Sequence, residues 1–367
     1  MGIAEDSKGK EWFATQSGLS EFDGRSWNNY SPDNSNLPGY YVSSIVIDSA
    51  GNKWIGTHSG IAEFDGANWI SFTTTDGLAN DNVNSIAIDS QGNKWICTDD
   101  GVSKFDGATW TKYSVANGLA NFQVSDVVID TDNNKWFATY GGISEFNDTT
   151  WTNYTDSSGL PDLLVTAIAV DSRGNIWCGT AKGVGKFDGS HWITYNSGDG
   201  IVDNEIRSVA VDNKNNIWVG SQYGISEFDG IIWRSYPSTN YTPFYYVSAI
   251  NIDPQGNKWF GTSGYGVWKL TNGNTFVAVK RTEKHNTNEL LVYPNPSNGA
   301  TTVLFPNSGS YRLIVRDIDG RIVKQIKNIS GDKTTLNTDD IIPGVYFISL
   351  ISAGNGKSYN SKLIVVK

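Results

Sequence analysis

Tryptophan recurs along this chain with a fixed step. One series falls at Trp12, Trp54, Trp95, Trp136, Trp177, Trp218 and Trp259, spaced by 42 and then by 41 residues throughout. A second series, Trp27, Trp69, Trp110, Trp151, Trp192 and Trp233, runs beside it with the same steps. A period of this size marks a chain built from copies of one supersecondary unit, none of which buries its apolar face alone. Residues 83–113, VNSIAIDSQGNKWICTDDGVSKFDGATWTKY, show the unit, and seven copies fit between Met1 and about Lys280.

Each copy reads as four short strands. In the third copy strand A is Val83–Ile88, strand B Lys94–Thr98, strand C Val102–Phe105 and strand D Trp110–Tyr113. Asp89–Asn93 and Asp106-Gly107 are turns, because Asp, Asn and Gly tolerate the positive φ that tight hairpins need. A longer loop, Ser114–Gln123, leads to the next strand A. No segment keeps a helical period. Four strands per 41 residues is the size of a propeller blade, and seven blades close a ring in which the large flat indoles fill the wedges between sheets. The end blades are irregular. Blade one has only Gly2–Asp6 for strand A, and blade seven lacks a Trp near position 274. The ring is therefore expected to close without exchanging strands between its first and last blades.

The repeat stops at Lys280. The polar run 281–289 reads as a linker. Residues 290–367 read as a separate unit of short alternating strands, Tyr311–Asp317, Ile322–Ile326, Val345–Leu350 and Lys362–Val366, with turns at Asp319-Gly320 and Pro343-Gly344. The expected fold is all-β: a seven-bladed β-propeller over 1–280 and a small C-terminal Ig-like β-sandwich over 290–367.

The pattern NxWIGT…GIxxFDGxxWxxY…GLxxxxVxxIxxD resembles the two-component regulator propeller repeat over residues 1 to about 280. That resemblance implies the fold and, from the family's place outside sensor kinases, an association with glycan sensing. A propeller hosts many activities, so it does not by itself imply one. No membrane span or kinase segment follows in this chain. LLVYPNPSNG (290–299), YRLIVRDIDGRIVKQ (311–325) and PGVYFISL…SKLIVVK (343–367) resemble the type A C-terminal sorting domain of the type IX secretion system of Bacteroidetes. That resemblance implies export across the outer membrane, contact with the secretion machinery through residues 290–367, removal of the domain, and release or attachment at the cell surface. Such cargo first needs a Sec signal peptide. Met1–Lys10 has no apolar run, so the signal and part of the first strand are expected to precede this sequence.

Composition narrows the partners. Lys+Arg is 28 against 38 Asp+Glu, a net charge of −10, which argues against nucleic acid and anionic lipid. No run approaches the roughly 20 apolar residues of a membrane span. Cys97 and Cys178 fall at adjacent strand-B positions two blades apart, so they are expected to face opposite sheet surfaces as buried thiols rather than to form a disulfide. Three histidines and one methionine are little material for a metal centre. The aspartates of the A–B turns (Asp48, Asp89, Asp130, Asp171, Asp212, Asp253) supply one carboxylate each. Calcium could use them, but an Asp accepting its own turn's N–H groups explains them alone. No metal or cofactor is expected.

A nucleophile–base pair is not visible, since His58 and His191 lie in different classes of loop. A sialidase would need converging arginines, whereas Arg25 and Arg173 sit in C–D and A–B turns; Arg207 and Arg234 are the propeller's other two. The repeats also align with one another. The A–B and C–D turns hardly vary. The B–C turns and the residues before strand A do, and alternating strand direction puts both at one end of the ring. There lie Tyr41, His58, Asp99, Tyr140, Lys182, Tyr223, Tyr246 and Tyr265. Flat aromatics among amides and carboxylates suit a sugar's apolar faces and rim hydroxyls. The expected function is non-catalytic recognition of a glycan or protein by a secreted or surface-displayed propeller. The alternatives are a polysaccharide lyase or glycosidase, for which Asp99, Asp100 and Glu205 are the acids at hand, and a purely structural or adhesion protein.

Overall fold

A computed structural model describes residues 2–239, 244–271, 276–279, 290–293, 295, 297, 299–354 and 356–366. The expected linker 281–289 and the position near 274 lie outside them. The chain divides into two compact units, Met1–Lys280 and Arg281–Lys367.

The first unit holds seven four-stranded antiparallel sheets among the described residues, each made of four consecutive strands. The repeat unit is reproduced to within a residue: Val83–Ile88, Lys94–Thr98, Gly101–Phe105 and Trp110–Tyr113 form the third blade. Strand A lies innermost and packs against strand A of both neighbouring blades. Ile3–Glu5, only three residues, is strand A of blade one. It meets strand A of blade seven, Val247–Ile252, and Phe13 packs on Trp259 at 5.7 Å. The ring thus closes by side-chain packing, with no strand exchanged between its ends. In blade seven Phe276 pairs with Leu270, the register that Phe105 and Trp110 hold in blade three, so Phe276 stands where a Trp is missing. The loops of blades three to five carry one departure from the strand-and-loop reading. Short 3₁₀ turns cover Val115–Asn117, Asp156–Ser158 and Ser197–Asp199, each ended by a left-handed glycine.

The strand-B tryptophans are 0–5% exposed and each indole N–H donates to the A–B turn aspartate six residues earlier, at 2.9–3.2 Å. In blade three, Asp89 Oδ1 accepts the N–H groups of Gln91 and Asn93, while Oδ2 accepts Asn93 Nδ2 and Trp95 Nε1. Burial alone would raise Asp89's pKa, but the hydrogen bonds from Asn93 and Trp95 outweigh it and hold the group ionised. The aspartate therefore caps the turn and anchors the indole together. The strand-D tryptophans differ. They are half-buried and stack on the strand-C phenylalanine of their own blade, as Trp110 does on Phe105 at 4.6 Å. They line the outer part of the wedge, where Trp110 also meets Phe72 of blade two at 5.7 Å.

Cys97 packs in the apolar cluster that includes Phe137 and Phe146 of blade four, and Cys178 in the one that includes Trp136 and Ile143. The two thiols face blade four from opposite sides, both free. Burial pushes Cys178 up to about 12 and Cys97 well above the ordinary thiol value, so neither is nucleophilic.

The second unit is built from Leu291–Tyr293, Ala300–Arg316, Ile322–Asn337, Gly344–Ser352 and Ser358–Val365. Its core gathers Val303, Leu313, Val315, Leu336, Ile348, Leu350 and Leu363, in keeping with a small β-sandwich. Two strands run far longer than their apolar stretches suggest. Ala300–Arg316 pairs with Leu291–Tyr293 along its first part and with Gly344–Ser352 along its second, and its register with Ile322–Asn337 shifts between Leu304 and Gly309. Such an irregularity bends a strand pair, letting one ladder serve two layers.

Candidate functional site

The B–C turn has the form Thr-X-X-Gly in blades two to five. The threonine hydroxyl donates to the glycine carbonyl at 2.8 Å. Gly101 has φ of 96°, and a Cβ there would sit 2.3 Å from the Tyr113 carbonyl oxygen, so glycine is required. The turn is thus closed by its outer residues, and the two central side chains are left free to vary. Backbone bonds hold these turns against the residues before strand A. His58, Asp99 and Tyr140 donate their N–H to the carbonyls of Tyr41, Asn82 and Gln123, and Gly60, Gly101 and Gly142 donate to Asp81, Phe122 and Leu163 of the next blade. Both variable sets share one end of the ring, knitted into a single rim.

Four of the sequence-predicted residues meet there. Tyr41, His58, Asp99 and Tyr140 line one cleft of about 190 Å³ across blades two to four, with Asn84 and Gln123 among its walls. Tyr41 and His58 stack at 3.9 Å with planes 23° apart. Desolvation holds His58 below the ordinary histidine pKa, opposed by the Asp99 charge, so the ring is neutral at neutral pH and offers one donor and one acceptor. Asp99 accepts from Asn84 Nδ2 at 2.9 Å and also from Asn82. The cleft wall is therefore an aromatic face beside a fixed row of amides and a carboxylate.

A second group lies on blades six and seven. Tyr245 stands between Tyr223 at 6.4 Å and Tyr265 at 5.7 Å. Tyr246 is turned away from them: its φ of 48° is the left-handed region, a conformation that costs a non-glycine residue about 1–3 kcal/mol and clusters at functional sites. Its ring lies under the Arg207 guanidinium at 5.7 Å, and Arg207 pairs with Glu205. Lys182 stands apart on blade five, 72% exposed and paired with Asp162 at 2.7 Å. Asp100 shares Asp99's turn and is exposed. Glu205 belongs to blade six, which is not adjacent to the blade of Asp99 and Asp100, and Asp99 and Glu205 already have polar partners.

Arg207 was missed by comparing loops alone. The second residue of strand A is Ser43, Asn84, Ser125 and Thr166 in blades two to five, and each side chain reaches the first carbonyl of the next blade's strand A. Blade six breaks the series with Arg207, and Ser208 makes the bond instead, to Val247 at 2.9 Å. Freed from the ring's own bonding, Arg207 lines the axial channel, a space of about 300 Å³ walled by strand A of every blade. Internal alignment of the strands would have exposed it.

Known proteins supply a wider frame. Residues 291–366 match the secretion system C-terminal sorting domain, and residues 159–182 and 200–223 match the two component regulator propeller. The chain thus joins a propeller, two of whose segments match the regulator propeller repeat, to a C-terminal segment that matches a secretion sorting domain. Among solved structures it resembles the extracellular domain of the hybrid two-component system BT3049 from B. thetaiotaomicron, at 18% identity and a TM-score of 0.66, over 99% of this chain and 55% of that one. It also resembles the extracellular domain of the one-component system BT4673 from B. thetaiotaomicron, at 16% identity and a TM-score of 0.62, over 100% and 57%. PorZ, a surface component of the type IX secretion system of Porphyromonas gingivalis, aligns at 18% identity and a TM-score of 0.58, over 98% and 58%. The chain spans a little over half the length of each, and the likeness is one of fold. A search of curated proteins finds no significant match. No helix among the described residues is long and apolar enough to cross a membrane. The sorting domain marks a secreted or cell-surface protein that engages the type IX machinery.

Proposed function

We propose that the propeller is a non-catalytic recognition module and that its variable rim binds a glycan outside the cell. The observation that carries this reading is the cleft in which the stacked Tyr41–His58 pair stands beside Asp99, Asn84 and Tyr140. Aromatic faces accept the C–H surface of a pyranose, while fixed amides and carboxylates take its hydroxyls. The second aromatic group on blades six and seven would give a longer chain another point of contact. The glycan association of the propeller family agrees with this chemistry. The acids do not favour catalysis: a hydrolase pair must stand within about 5–10 Å, and Asp99 and Glu205 come from blades separated by two others.

The test is a glycan-array screen of the full chain followed by titration of any hit. Tyr140 and Tyr223 are 48% and 52% exposed, so replacing both with Ala removes stacking surface without opening a core. Tyr140→Ala with Tyr223→Ala is expected to weaken binding about tenfold or more while the melting temperature hardly moves. Arg25→Ala with Arg173→Ala, at the opposite end of the ring, is expected to leave affinity unchanged. The reverse result would move the ligand to the other face and end this assignment.

A further inference from the structure

Every seam between blades sets the first residue of one strand B against the A–B turn aspartate of the blade before it. Three lysines at this position supply the counter-charge: Lys53 lies 4.0 Å from Asp6, Lys94 3.9 Å from Asp48 and Lys258 3.2 Å from Asp212. Each also sits over the preceding blade's Trp. Lys135 lies over Trp95 and pairs with Asp148. Blades five and six carry Ile176 and Ile217, which add no charge. Blade one alone carries an acid, Glu11, at the seam that closes the ring.

Glu11 meets Asp253 of blade seven and Glu5 of its own strand A. One carboxylate oxygen from each of the three lies within 4.8 Å of the others, the single such group among the described residues. Glu11 is 6% exposed and Asp253 3%. The facing cation is Lys269, whose Nζ is 3.4 Å from Asp253 and 4.2 Å from the Trp259 ring centre. With all three ionised, as a bound cation would require, one ammonium leaves two negative charges uncompensated in the seam. Oε2 of Glu11 and Oε2 of Glu5 are buried with no hydrogen-bond partner, which buried carboxylates rarely tolerate. Burial first, then the Glu5 and Asp253 charges, pushes Glu11 up to about 8.

We propose that this seam is a binding site for a hard divalent cation of the calcium type, held by Glu5 and Glu11 with Asp253 as the third carboxylate, and that the ion joins blade one to blade seven. Oxygen-only ligands suit calcium, which takes 6–8 oxygens at about 2.3–2.6 Å and so spans oxygen separations up to about 5 Å. A dication supplies the two missing charges and satisfies the orphaned Oε2 atoms. Asp253 is held in place by Trp259 Nε1 at 3.0 Å and Asn257 Nδ2 at 2.7 Å, a fixed wall against which the blade-one acids close. Because no strand is exchanged across this seam, the ion would do what a shared strand does in other closed rings. The competing state is a proton held between Glu11 and Glu5.

The test uses the full chain, stripped with a chelator at neutral pH. Terbium is the optical probe, since Trp259 borders the seam and can sensitise its emission. A saturable terbium signal displaced by millimolar calcium is expected, together with a calcium-induced rise of about 5 °C in the propeller's melting temperature. Glu11→Lys restores the residue of blades two, three, four and seven. It is expected to abolish both effects and to melt, without calcium, as high as the calcium-loaded native chain. Should that variant fail to fold, Glu5→Gln decides, with calcium affinity expected to fall about tenfold or more. Absence of both terbium emission and calcium stabilisation in the native chain would show that a shared proton suffices and would overturn the proposal. Persistence of both effects in Glu11→Lys, or undiminished calcium affinity in Glu5→Gln, would place the ion elsewhere and overturn it equally.

Discussion

Replacing Trp95 with Ala is expected to destabilise the propeller by about 3–5 kcal/mol, the range for emptying a buried aromatic site. Trp95 is fully buried and stacks on Tyr113 of its own blade at 5.6 Å. It also packs on Phe137 and Phe146 of blade four, at 5.9 and 6.0 Å, so its loss opens the wedge between two blades. Asp89 would lose the indole donor at 2.9 Å, and the ammonium groups of Lys104 and Lys135 would lose the ring face beneath them. Trp151→Ala is the comparison. That indole is half-buried, stacking on Phe146 and reaching Phe137 and Tyr113 at 5.6 and 5.8 Å, so its removal opens less buried space and is expected to cost less than half as much. Urea unfolding followed on the propeller's own transition checks both. A Trp95→Ala shift below about 1 kcal/mol would contradict the wedge-filling role.

How much of this was legible in the chain follows from where the information lies. Strand bounds came out of the repeat because hairpin turns and alternation are local, and seven copies reinforce one another. The fixed six-residue step from Asp89 to Trp95 was also visible, yet only its turn half was readable. The second oxygen's bond to the indole depends on how a side chain folds back over strand B. The end of the ring that carries the variable residues followed from strand direction alone. The pairing of Tyr41 with His58 did not, because 17 residues separate them and their stacking is set by rotamers. In the C-terminal unit, the stretch Asn328–Gly331 hides a strand continuation behind polar and small residues. Gly309 pairs with Gly331, so the composition that suggests a break marks a bend inside a ladder. Glu11 shows the opposite case: aligning the strand-B copies would single it out as an acid in a column of lysine and isoleucine, but only the ring's closure reveals what it faces.

Removal of Leu290–Lys367 is expected to abolish export while leaving the propeller folded. The two units bury separate cores. The C-terminal cluster draws only on residues from Leu290 to Val365, while the propeller clusters run from Trp12 to Leu270 with Phe276 packed against the last of them. Deleting the tail therefore leaves each of those propeller clusters with all its described members, and the propeller's melting transition and tryptophan fluorescence should not change. Export is another matter, because the sorting match covers residues 291–366 and nothing in the propeller repeats it. In a type IX-competent host, behind a Sec signal peptide, the full chain is expected at the cell surface or in the medium and the shortened chain in the periplasm. A periplasmic reporter fused ahead of Leu290–Lys367 is expected to follow the full chain outward, since the signal resides in the tail's own fold. Equal export of the full and shortened chains would mean that the propeller carries the address. A reporter retained in the periplasm would mean that the tail needs the propeller to be read.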